Sequence, residues 1–122
     1  MKHAVYDLLS EIIGKVKFIF PANREITPYP NQEIDADSAC YKIDWPISDE
    51  ERPNKRSKRI FLVISREFFE DYQGLTEVQK QEVINDACRW IEMKYKHFDA
   101  SNSKHRDSIE TPREIWNIPF NR

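Results

Sequence analysis

Glycine is nearly absent from this chain: Gly14 and Gly74 are the two among 122 residues. That excludes a glycine-rich phosphate loop and a dinucleotide-binding fingerprint, each of which needs several glycines within a short span. Cysteine is equally scarce. Cys40 and Cys88 lie far apart with no CxxC spacing, so the short paired spacing that marks a zinc site is missing. The three histidines, His3, His97 and His105, limit the supply of catalytic bases and metal ligands. A long apolar run is also lacking, because Ile60-Phe61-Leu62-Val63-Ile64 falls far short of the roughly 20 residues that span a bilayer. Asp7 and Glu11 interrupt the N-terminal segment before it could act as a signal-peptide core. An excess of one charge is missing too, since 19 Lys and Arg face 21 Asp and Glu for a net −2, whereas a dedicated nucleic-acid binder usually carries a marked basic excess. These absences predict a soluble protein of the reducing cytoplasm, with free thiols and no membrane contact.

The chain is 39% hydrophobic and 12% aromatic, enough to build one compact core at a length typical of one domain. Val5, Leu8, Leu9, Ile12, Ile13 and Val16 follow the i, i+3, i+4 spacing of one helical face, predicting a helix over about residues 3 to 17. Gly14 either costs that helix roughly 1 kcal/mol or marks its end. In the second case Val16, Phe18 and Phe20 alternate as a strand would. The segment with Pro21, Pro28 and Pro30 reads as a long loop.

Ala39, Tyr41, Ile43, Trp45 and Ile47 alternate with Cys40, Lys42 and Asp44, the pattern of a strand with one buried and one wet face. Pro46 cannot donate to a ladder, which puts this strand at a sheet edge or ends it there. Lys58 to Ser65 is the most buried strand, and the pair forms an antiparallel hairpin. Ser65 caps a short helix that Gly74 ends. Thr76 and Gln79 form a capping box that opens the long helix, whose stripe is Ile84, Ala87, Cys88, Ile91, Tyr95 and Phe98. Met93 lies opposite the stripe and Trp90 at its edge. Thr111-Pro112-Arg113-Glu114 is a second capping pattern and predicts a helical turn carrying Ile115 and Trp116. The expected fold is therefore α+β, a small antiparallel sheet of two to three strands covered on one face by an N-terminal helix and a long C-terminal helix. Residues 1–108 form the domain, and residues 109–122 form a tail packed on it.

No residue set commits to catalysis. Cys88 sits on an apolar stripe and Cys40 on the wetter strand face, where it is the thiol more open to a probe. Glu33, Asp35 and Asp37 alternate in the Pro-rich loop but lack the glycine and terminal glutamate of a calcium loop. Glu92-Met93-Lys94 carries the letters of a nuclease motif on a helix instead of a strand, and Glu82 and Asp86 are spaced as solvated acids on one helical face. The expectation is no enzyme, no metal and no cofactor.

Charge layout is what rises above background. Residues 21–51 hold two basic and eight acidic residues, a net −6, and residues 52–59 hold five basic and none acidic, a net +5. The basic loop could grip phosphates, although Asp49-Glu50-Glu51 would repel them and no aromatic is interleaved for stacking. Tyr29, Trp90 and Trp116 are types enriched in binding hot spots. The resulting expectation is a small non-catalytic interaction or regulatory protein that meets a protein partner through Arg52, Lys55, Arg56, Lys58, Arg59, Trp90, Met93 and Trp116. The alternative is a nucleic-acid-binding accessory that uses the 52–59 loop. A homodimer through the Pro46 edge strand and the Trp90 flank is compatible with both.

Overall fold

The computed structural model describes residues 2–30, 37–47, 55–100 and 113–121. Helix α1 (Lys2–Val16) ends in a 3-10 turn over Lys17–Ile19, and strand β1 (Glu25–Pro28) follows. The hairpin of β2 (Ala39–Asp44) and β3 (Arg59–Ile64) comes next, then α2 (Arg66–Gln73), α3 (Glu77–Lys96) and β4 (Arg113–Asn117). The architecture is α+β.

The sheet has four strands in the order β1-β2-β3-β4 and is mixed, which corrects the expected two to three antiparallel strands. The β1–β2 and β2–β3 pairs are antiparallel, and β3–β4 is parallel. Two segments account for the difference. β1 lies within the stretch read as loop, where Pro28 is tolerated because β1 is an edge strand. Arg113 to Asn117 pairs with β3 as a strand instead of forming a helical turn. β2 is consequently an inner strand, not an edge, and Pro46 lies beyond it in an isolated bridge to Arg56.

Helix boundaries follow local chemistry. Ser65 Oγ accepts from the Phe68 N–H at 3.1 Å, and α2 is capped at its end by Gly74. Thr76 Oγ1 accepts from the Gln79 N–H at 3.2 Å while Gln79 Oε1 accepts from the Thr76 N–H at 3.0 Å, the reciprocal pairing of a capping box. Gly14 lies inside α1 and does not end it. The Phe20 N–H donates to the Lys17 carbonyl at 3.2 Å, so the 18–20 segment is a tight turn and no strand begins there.

Alternation assigns the two sheet faces. Ala39, Ile43, Ile60, Leu62, Ile64 and Trp116 share one core cluster with Leu9, Ile12, Phe68, Ile84 and Ile91 of the helices. The other face carries a smaller cluster of Cys40, Phe61 and Val63, with Tyr29 packed against it. No helix among the described residues is long and apolar enough to cross a membrane.

Candidate functional site

Arg52 lies outside the described residues, as do Glu33, Asp35, the Asp49-Glu50-Glu51 run, His105 and Thr111. The rest of the basic loop starts where the hairpin continues past Pro46. The Ile47 N–H donates to the Lys55 carbonyl at 3.0 Å and the Ser57 N–H to the Trp45 carbonyl at 2.9 Å. Ser57 is fully buried; its hydroxyl accepts from the Trp45 N–H and donates to the Lys58 carbonyl.

This arrangement swings Arg56 back over the sheet. Its Nε donates to Asp44 Oδ2 at 3.2 Å and its Nη2 to Asp44 Oδ1 at 3.0 Å, while Nη2 also stands 3.0 Å from Glu25 Oε1. Glu25 and Asp44 are register partners across β1 and β2, and like charges placed directly opposite destabilise a sheet. Arg56 bridges the two carboxylates and offsets their repulsion. Its hydrogen bonds to Asp44 raise the guanidinium pKa above its ordinary value, which keeps the charge in place at any working pH. Lys58 is engaged too, with Nζ 3.7 Å from Glu114 Oε2 and beside the Phe98 ring. Lys55 and Arg59 are half-buried.

Trp116 is 1% exposed. It packs edge-on against Phe98, and its indole N–H donates to Glu114 Oε1 at 3.1 Å. Its side chain belongs to the core, which corrects the expectation that Trp116 is open to a partner. Trp90 is half-buried beneath the Lys94 ammonium, which also stands over Trp116. Met93 is 52% exposed on α3. Tyr29, read from sequence as a spare aromatic, packs against Phe61 with ring centroids 4.9 Å apart.

The thiols also depart from expectation. Cys40 is buried, because the second face of the sheet is apolar at this point, and burial pushes its pKa from 9.0 up to about 11. Cys88, expected in the core, is half-buried with Sγ 3.9 Å from the Ile12 carbonyl. Both thiols are free. Asp37 pairs with Arg66 at 3.1 Å. Among the described residues no group of three or more His, Cys, Asp or Glu side chains is placed to hold a metal ion.

Phe18 is a surface feature that helical periodicity does not mark. The 3-10 turn projects its ring outward at 73% exposure, while Phe20 two residues on is buried against Trp45 and Tyr95. Lys17 Nζ and the Arg24 guanidinium carbon each stand 5.4 Å from the Phe18 centroid. An exposed aromatic with two cations beside it can bury apolar area and pair with anions in one contact. The sequence signal was the Lys17-Phe18 neighbour pair, but the approach of Arg24 depends on the turn.

Comparison with protein-family models, with curated proteins and with solved structures gives no match for this chain.

Proposed function

We propose that this chain is a non-catalytic interaction protein that binds an acidic protein surface through Phe18 and the cations of Lys17 and Arg24. The observation that carries this reading is the 73% exposure of Phe18 with two positive groups beside its ring. Large aromatics and arginine are the types that dominate binding energy at interfaces, and a partner with carboxylates around an apolar patch would match the layout. Met93 on α3 offers a second exposed apolar contact. A reducing, cytoplasmic setting suits the two free thiols.

The basic loop contributes less to this reading than its composition suggests, since Arg56 and Lys58 already face carboxylates of this chain. A nucleic acid is the second reading, and the same group favours it, because an aromatic flanked by cations is also a stacking platform for single-stranded bases.

The test replaces Phe18 with a photo-crosslinking phenylalanine analogue in cells of the native host. The expected result is one stoichiometric protein adduct that disappears when Lys17 and Arg24 are changed to Glu. Identical adducts from a crosslinker at exposed Val78 would overturn the proposal. So would crosslinking to oligonucleotide alone, which would install the second reading in its place.

A further inference from the structure

We infer that β4 is a homodimer edge, at which a second copy of this chain adds its own β4 in antiparallel register centred on Ile115. The inference is independent of the Phe18 surface. β4 is the last strand of the sheet, and among the described residues no strand pairs with its other edge. The Ile118 N–H donates to the Val63 carbonyl at 3.0 Å. By strand alternation, Glu114 and Trp116 also direct their backbone groups toward β3, and those of Arg113, Ile115 and Asn117 point outward. The side chains of these same three residues are exposed, and Ile115 is 45% exposed despite being apolar.

The strand is self-complementary in one register. With Ile115 opposite Ile115 of the second copy, Arg113 faces Asn117 and Glu114 faces Trp116, so no like charges oppose. The outward groups of Arg113, Ile115 and Asn117 then form three pairs that exchange two bonds each, about six in all. Shifting the centre to Glu114 sets two glutamates face to face, and shifting it to Arg113 sets two arginines face to face. The centred register also overlaps the whole strand and buries the exposed isoleucine against its own copy, as a two-fold interface requires.

Sedimentation equilibrium on the full chain tests this. The wild type is expected to reach twice the 14.6 kDa chain mass. Ile115→Asp, which places two carboxylates on the two-fold axis, should weaken dimerisation at least tenfold with the circular dichroism unchanged. A wild type that stays monomeric across its soluble range overturns the proposal, as does a folded Ile115→Asp variant that dimerises as well as the wild type. Ile115→Cys decides the matter even if the aspartate variant misfolds. A residue opposite itself in such a pair has its Cα atoms about 5.5 Å apart, within disulfide reach. Copper phenanthroline, which takes up the two electrons as two thiols lose their protons and join, should crosslink Ile115→Cys at least tenfold faster than Val78→Cys. Equal rates overturn the proposal.

Discussion

Arg56 grips both carboxylate oxygens of Asp44, with Nε at 3.2 Å and Nη2 at 3.0 Å, from a loop twelve residues along the chain. Because Asp44 is buried and faces Glu25 in the β1–β2 register, the guanidinium fastens an otherwise repulsive edge. Arg56→Ala should cost about 2 kcal/mol in urea unfolding, since it leaves a buried carboxylate without its cation. Glu25→Ala should cost less than about 1 kcal/mol, because it removes a half-exposed ion pair. Asp44→Asn combined with Arg56→Ala should recover part of the loss. An Arg56→Ala variant as stable as the wild type would refute the role assigned to this pair.

Gly14 lies within α1, and a Cβ added there meets nothing within 4 Å. Alanine at an exposed helical position limits the unfolded chain and favours the helix by roughly 0.5–1 kcal/mol. Gly14→Ala should raise the thermal midpoint by several degrees, as expected for a domain of this size. A lowered midpoint would show that α1 uses the glycine for something other than propagation.

Cys40 holds its proton in the folded state up to about pH 11, against an ordinary 9.0. Below pH 9 the thiol is protonated in both states and stability is unaffected. Between pH 9 and 11 the unfolded chain releases a proton that the native state retains, so stability falls with rising pH. Tyr6, Tyr72 and Tyr95, each raised from 10.0 chiefly by burial, add to that fall above pH 10. Cys40→Ala should flatten the pH 9–11 portion of a denaturation series, whatever its effect at neutral pH. In the native chain a thiol reagent should label Cys88 before Cys40, and the reverse order would contradict the burial assigned to each.

What the sequence made legible is what short-range chemistry decides. The capping box at Thr76, the stripe of α3 and the apolar run of β3 each follow from residues within a few positions of one another. β1 has no comparable local pattern: four residues ending in Pro28 become a strand through pairing with β2 and the reach of Arg56. β4 was obscured by a helix-capping pattern ahead of it, although Trp116 and Ile118, both buried, already alternate as a strand requires. The charge layout was legible as segments but not as pairs. Glu25 and Asp44 from the acidic stretch and Arg56 from the basic loop are one another's partners, so part of the cancellation between those segments happens within the fold. The outward projection of Phe18 depends on a 3-10 turn that helical periodicity does not foretell.

Trp116 shows how far the C-terminal strand is built into the molecule. It is among the largest fully buried side chains and lies between Phe98 and the Lys94 ammonium, in a strand that reaches β3 from a distant part of the chain. Trp116→Ala should cost about 3–5 kcal/mol, the range expected for a large buried aromatic that leaves a cavity. For a domain whose whole stability lies near 5–15 kcal/mol, that is a large fraction of the total. Trp116→Phe keeps most of the volume but loses the bond to Glu114 Oε1, and should cost about half as much. Met93→Ala on exposed α3 surface serves as the control, with a change below about 0.5 kcal/mol. Equilibrium urea unfolding of the three variants checks the order. A Trp116→Ala variant as stable as Met93→Ala would mean that β4 is not an integral strand of the sheet.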